Sequence, residues 1–318
     1  MKLKIITDCS GIDAPLEALK QMKINFDYLS GSEINDKARE FITLNNNPKI
    51  LYSDIKNKPD FNLLPRADIY FAGFPCQSFS IANIKRKNPN ILNTSQSNIF
   101  FYCLKSIKIN KPKIFVLENV KGLISGKMKP IFNTILEELK KLPYHIHYKV
   151  LNTKNFGIPQ NRERIYIVGI SNNIYKTSFA FPDPVKSKHL KKFLHDPENI
   201  SKYSVDLPKK AIERLKNFNK NIESSVDLTY LLHSNEQFWS PSRINYDKIS
   251  CLIRSSRGIY LPNRERLLTE KEMFSLQGFE SNKLIYPNFS LSEIRKLTGN
   301  TMSVNVLKEI IKKLIFYL

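Results

Sequence analysis

The sequence predicts an α/β fold: a mostly parallel sheet dressed with helices, interrupted once by a basic insert of different character. Three observations carry this. Short apolar runs alternate with helix-period patterns through the first half of the chain, the signature of βαβ units. The alternation stops at Phe181-Pro182-Asp183-Pro184, where two prolines mark a boundary. From 185 to about 260 the chain is Lys-rich and irregular with scattered aromatics, and a helical pattern returns at 304–316.

Taken in order, Leu3-Lys4-Ile5-Ile6-Thr7 reads as a buried strand, followed by a turn at Ser10-Gly11 and a helix over 14–22. A second strand spans 26–31 and a second helix 38–44; a third strand, 68–72, ends at Gly73. A helix over 99–109 leads to the apolar run Ile114-Phe115-Val116-Leu117-Glu118, an amphipathic helix covers 131–142, and a further strand covers 164–170.

The 318 residues include 42% hydrophobic side chains, enough for a substantial core, and 50 Lys+Arg against 29 Asp+Glu, a net charge of +21. Such a surplus suits a polyanionic partner, nucleic acid before an anionic membrane. A Lys- and Asn-rich composition inherited from an AT-rich genome would produce the same number. The four cysteines, Cys9, Cys76, Cys103 and Cys251, form no Cys-x-x-Cys pair, and with five histidines no metal-ligand cluster is expected. No secretory h-region or membrane-length apolar run is present, so the expectation is a soluble, reduced, intracellular protein.

Five segments carry candidate chemistry. Gly73-Phe74-Pro75-Cys76-Gln77-Ser78 follows the third strand, where open α/β sheets gather their catalytic groups. By itself Cys76 fits either a nucleophile or a buried turn cysteine. Glu118-Asn119-Val120 ends the next apolar run and so falls at the same sheet edge; Glu118 is either a solvated charge or a proton partner for a ring nitrogen. In Gln160-Asn161-Arg162-Glu163-Arg164 the two arginines, at i and i+2 on an extended segment, point the same way or form a surface charge run. The turn Cys9-Ser10-Gly11-Ile12-Asp13-Ala14 after the first strand occupies a nucleotide-cradling position. Glu33, about 20 residues on, suits ribose hydroxyls, and Asp54 an adenine amino group; strand or helix termination would also explain both acids.

In this order, with Leu276-Gln277-Gly278-Phe279 and Gly299-Asn300-Thr301-Met302-Ser303-Val304 following the insert, the segments closely resemble the DNA cytosine-C5 methyltransferase family over residues 3–181 and 262–316. The resemblance implies a Rossmann-like class I S-adenosylmethionine-dependent methyltransferase sheet with a small, mostly β target-recognition domain. Residues 1–184 with 285–318 would form the catalytic domain and 185–284 the recognition domain and return segment. It implies that Cys76 attacks C6 of a flipped cytosine, that Glu118 engages N3, that Arg164 holds O2 and that Arg162 supports the Cys76 region. S-adenosylmethionine would be held by Cys9, Ser10, Gly11, Ile12, Glu33, Ile34, Asp54, Ile55, Pro75, Asn300 and Ser303, with no metal. DNA would meet Gln77, Ser80, Lys85, Arg86 and Lys87 on a mobile loop over 80–98, and Asn235, Gln237, Arg243, Arg254 and Arg257 in the insert. Partners would be double-stranded DNA and a cognate restriction endonuclease, the protein acting as a monomer in a bacterial cytoplasm or, for a virus, in the host cell. Where the family has Phe-x-Gly-x-Gly-Gly, this chain places Cys9, Asp13 and Ala14 for the aromatic and two of the glycines.

Overall fold

The computed structural model describes residues 2–58, 66–75, 99–207, 213, 215, 217, 227–232 and 243–318. These fall into two compact units. The first comprises Met1–Leu151, Glu163–Asp183 and Val306–Leu318, the second Asn152–Arg162 and Pro184–Asn305.

The first unit is built on a seven-stranded sheet. Its strands are β1 (Leu3–Asp8), β2 (Phe26–Ser32), β3 (Ile50–Tyr52), β4 (Ile69–Ala72), β5 (Ile114–Val120), β6 (Tyr144–Asn152) and β8 (Glu163–Ser171), in the order β3-β2-β1-β4-β5-β8-β6. β1 to β5 are parallel, and β8 enters antiparallel beside β5. The central strands β4 and β5 are apolar without alternation because helices cover both faces, and Ile69, Phe71, Ile114 and Val116 are fully buried. The helices are α1 (Ala14–Gln21), α2 (Asp36–Asn45), α3 (Ile99–Asn110), α4 (Lys129–Lys140) and, at the end of the chain, α7 (Val304–Leu314). α4 buries Phe132, Ile135, Leu136 and Leu139, and α7 buries Val306, Leu307, Ile310, Ile311 and Leu314, each a stripe at helical spacing. The expected strands and helices of the first half are all present to within a few residues; β6 lies outside the expected set.

The second unit carries the short strands β7 (Gln160–Asn161), β9 (Leu228–Leu232), β10 (Ile244–Tyr246), β11 (Ile249–Ser250), β12 (Gly258–Leu261) and β13 (Arg266–Leu267), and the helices α5 (Glu270–Gln277) and α6 (Leu291–Gly299). An antiparallel sheet in the order β10-β9-β12-β13 packs Tyr230, Leu232, Tyr260 and Leu267 against Tyr203 and Leu215. Two bond sets tie further segments into this unit. Gln160 donates to Leu276 O at 2.7 Å and accepts from Leu252 N at 3.1 Å, which joins 152–162 to this unit. Gln277 donates to Thr298 O, and Arg295 to Arg257 O, which keep 285–305 with it as well. Among the described residues no helix is long and apolar enough to cross a membrane.

Candidate active site

The sheet register alone lines up the site. Tyr52, Ser32, Asp8, Ala72 and Leu117 are directly paired across β3, β2, β1, β4 and β5. One or two residues beyond that row come Asp54, Glu33, Cys9, Gly73 and, still within β5, Glu118. The C-terminal edge of a parallel sheet therefore presents two acids on one flank and a third beside the Pro75 segment.

On the first flank, the turn after β1 holds three residues in the left-handed region: Cys9 (φ 51°), Gly11 (φ 68°) and Asp13 (φ 58°). Asp13 stands where the resembling family has glycine, and it tolerates this conformation because its short polar side chain bonds locally. Its buried carboxyl accepts from Thr7 Oγ1 at 2.9 Å and from Ser10 Oγ, and Thr7 in turn meets the Tyr28 hydroxyl at 2.7 Å. Gly31 makes room for that hydroxyl, since a Cβ there would lie 2.1 Å from it. The turn is thus a polar network rather than a run of glycines.

Burial raises the Asp13 carboxyl above the ordinary range, with the Ser10, Tyr28, Thr7 and Asn46 side chains opposing. A carboxyl whose folded value exceeds its unfolded value binds its proton more tightly in the folded chain. Its contribution to stability is fully present below the unfolded value and is lost as pH rises through the folded one. Asp13→Asn, which keeps the left-handed preference and removes the charge, is expected to raise Tm at neutral pH. The gain should vanish in thermal melts at acidic pH; an equal gain at every pH would contradict the assignment.

Glu33 is buried, its Oε2 accepting from Gly11 N at 3.1 Å and its Oε1 from Asn35 N at 3.0 Å. Burial pushes its carboxyl up, opposed by the backbone amides of Asn35 and Gly11. Each oxygen keeps acceptor capacity for a vicinal diol. The next residue, Ile34, is 74% exposed, an apolar face free to meet a base. Asp54 is half-buried, its Oδ1 fixed by Lys56 N at 2.9 Å, and Ile55 packs into the core beneath it. Ser10 and Ile12 are buried. The Cys103 thiol and burial together push the Cys9 thiol well up, which keeps it neutral beside the turn. A carboxylate for ribose, an apolar platform and a second carboxylate fit the adenosyl group of S-adenosylmethionine.

On the other flank, Val120 pairs with Arg164 and Glu118 with Tyr166. Directly opposed residues share a face and alternate residues along a strand do too, so Glu118 and Arg164 are diagonal neighbours on one face. Their side chains close to 3.1 Å, Arg164 Nε to Glu118 Oε1, with 15% and 11% of their surface exposed. Arg164 Nη1 also donates to Glu163 O at 2.8 Å. Between them in sequence, Asn119 turns to the opposite side and donates through Nδ2 to Phe74 O at 2.8 Å. This ties the end of β5 to the residue before Pro75, which is itself exposed. Nothing in the local sequence around Asn119 marks this role. Asn119→Ala should leave the Phe74 carbonyl unpaired, costing about 1–3 kcal/mol in urea unfolding, and should lower kcat through the misplaced Pro75 segment.

Cys76, Gln77, Ser80, Lys85, Arg86, Lys87, Asn235 and Gln237 lie outside the described residues. Of the remaining expected residues, Arg162, Asn300, Ser303, Arg243, Arg254 and Arg257 belong to the second unit. Arg162 and Arg164 serve separate partners. Arg162 is buried, and its guanidinium donates to Leu252 O (3.0 Å), Gly299 O (3.3 Å), Thr301 O and Cys251 Sγ (3.4 Å). It clamps two backbone segments to each other. They approach so closely that a Cβ on Gly299 would lie 2.5 Å from Arg254 N. Asn300 caps α6 and is exposed, Ser303 is buried, Arg254 and Arg257 are exposed on the turn before β12, and Arg243 is half-buried.

The strand order, with β8 inserted antiparallel beside β5, is that of a Rossmann-like S-adenosylmethionine-dependent methyltransferase fold. The sequence model of the C-5 cytosine-specific DNA methylase family matches residues 3–315. The chain is 36% identical over 270 residues to the type II methyltransferase M.NgoBI of Neisseria gonorrhoeae, covering 81% of this chain and 76% of that protein. It is 36% identical over 253 residues to M.HaeII of Haemophilus aegyptius, covering 78% and 73%. The fold is similar to that of S. pombe Dnmt2 methyltransferase, with a TM-score of 0.68, 20% identity and 99% of each chain covered. The chain belongs to the C-5 cytosine-specific DNA methylase family and is an S-adenosylmethionine-dependent DNA cytosine-5 methyltransferase.

Proposed function

We propose that the chain methylates cytosine within a short specific double-stranded sequence through a covalent adduct of Cys76 to C6 of a flipped base. The observation that carries this is the Glu118–Arg164 pair at the strand ends beside the Pro75 segment, with Asn119 bonded to Phe74 O. Cytosine C5 is a poor nucleophile. When the Cys76 thiolate adds to C6, the C5–C6 electron pair moves to C5, which becomes enamine-like. Glu118 shares a proton with N3 and draws charge out of the ring, and Arg164, oriented by Glu118, donates to O2. S-adenosylmethionine, when bound, supplies an electrophilic methyl group on a sulfonium. When a base takes the C5 proton, the C5–H electron pair re-forms the C5–C6 double bond, the C6–S bond breaks and its electrons leave with the Cys76 thiolate.

Glu33, Ile34, Asp54 and the Cys9–Asp13 turn would hold the adenosyl group, with Pro75 at the edge of the methyl-donor site. In the second unit, exposed Arg254 and Arg257 suit base edges or phosphates, and Arg162 preserves the turn that carries them. An endonuclease acting on the same site is the partner that the relatives' type II naming supports, and the chain would act as a monomer.

DNA copied with 5-fluorodeoxycytidine tests the adduct. Fluorine at C5 leaves no proton to lose, so the thioether cannot be released. With S-adenosylmethionine present, wild type should form a complex that survives denaturing electrophoresis and Cys76→Ala should not. A wild type that forms none would overturn the covalent route.

A further inference from the structure

We propose that Asp8 and Lys58, which take no part in the chemistry above, form a buried positioning pair that sets the geometry of the methyl-donor site. Asp8 sits in the middle of the paired row, between Ser32 of β2 and Ala72 of β4. Its carboxylate is fully buried. Oδ1 accepts from Lys58 Nζ at 2.5 Å and from Ser32 Oγ at 2.6 Å; Oδ2 accepts from the Tyr70 hydroxyl at 2.9 Å and from Ser106 Oγ at 3.2 Å. Lys58 is as hidden, its side chain 1% exposed.

An ion pair taken wholly out of water rarely stabilises a fold more than apolar residues of the same volume would. What it supplies here is connection. Asp8 leads directly into the Cys9–Asp13 turn, Ser32 directly precedes Glu33, and Lys58 closes the short helical turn that Asp54 caps. One carboxylate thus fixes the three segments that carry the turn, the ribose acid and the adenine acid, and Tyr70 and Ser106 anchor it to β4 and α3. Lone pairs and charges satisfied in one arrangement hold those segments to one spacing, as packed apolar side chains would not.

The inference rests on the reading of Glu33 and Asp54 as cofactor acids, and the test separates the two. S-adenosylhomocysteine binding to the full chain is measured by titration calorimetry, with Tm and methylation kinetics alongside. Asp8→Asn with Lys58→Met removes both charges at nearly constant volume, so Tm should hold near wild type. The Kd and the cofactor KM should rise about 10-fold or more, with kcat at saturating cofactor and the KM for DNA unchanged. Ser32→Ala, a smaller change that keeps the ion pair, should raise Kd in the same direction. A folded double variant with wild-type Kd would overturn the proposal; should that variant not fold, an unchanged Kd in Ser32→Ala does so. Glu33→Gln serves as the reference. If it too leaves Kd unchanged, the cofactor reading fails; if it weakens binding while the Asp8 and Ser32 variants do not, only the positioning role fails.

Discussion

Cys76→Ser is expected to lower methylation by more than about 10³-fold while leaving DNA binding within a few-fold of wild type. A serine hydroxyl at neutral pH is almost wholly protonated and cannot supply the anion that must add to C6. The other proposed contacts, the turn at 9–13 and the arginines of the second unit, would bind the reactants without making C5 nucleophilic. Steady-state incorporation of labelled methyl groups, paired with gel-shift binding, separates the two effects. Equal loss of binding and turnover would mean that Cys76 is only a turn residue, the alternative that its sequence context left open.

The second large effect is expected at the Glu118–Arg164 pair. Glu118→Ala should reduce kcat by about 10²–10⁴-fold, because N3 loses its proton partner and the adduct its charge relief. Glu118→Gln should fall between, since an amide can donate to N3 but cannot transfer a proton. Arg164→Ala leaves Glu118 in place with its partner gone. Because the two side chains are only 15% and 11% exposed, that change should cost stability on the order of 3 kcal/mol. Adding Glu118→Ala to Arg164→Ala should then recover part of the lost stability while activity stays low. Urea unfolding of the two singles and the double measures this coupling; simple additivity would contradict a shared ion pair.

Much of the first unit was legible because a parallel sheet announces itself. β1, β4 and β5 are apolar runs too short for helices, and each ends at a residue of chemical consequence. The positions of Glu33, Asp54 and Glu118 at one edge followed from that rule, and the register added that Glu118 and Arg164 are diagonal neighbours. β6 was legible in principle, since Tyr144, Ile146, Tyr148 and Val150 alternate with His145, His147 and Lys149. Its polar half is that of an edge strand, and such strands carry a weaker signal. The helices of the second unit also had signals. Thr269-x-x-Glu272 and Ser290-x-x-Glu293 both form capping boxes in the structure.

Other features were not readable locally. Asp13, Thr7, Ser10 and Tyr28 form one network only because the turn and β2 meet in space, so the missing glycines pointed to a gap rather than to a replacement. Asp8 and Lys58, 50 residues apart, looked like an ordinary strand-end acid and one lysine among many. Arg162 and Arg164 looked alike in an Arg-x-Arg string, yet one is a clamp on the backbone of the second unit and the other a partner of Glu118. Long-range polar contacts of this kind are decided by the fold and leave no spacing in the chain.

The central claim, cytosine-C5 methylation of DNA through Cys76, is tested most directly by base-resolution mapping. Unmethylated genomic DNA is incubated with the protein and S-adenosylmethionine, and 5-methylcytosine is located by sequencing, with Cys76→Ala in parallel. 5-Methylcytosine at one cytosine of one short recurring sequence, made by wild type and absent with Cys76→Ala, is the predicted result. No 5-methylcytosine in DNA, or the same pattern from both proteins, would contradict it.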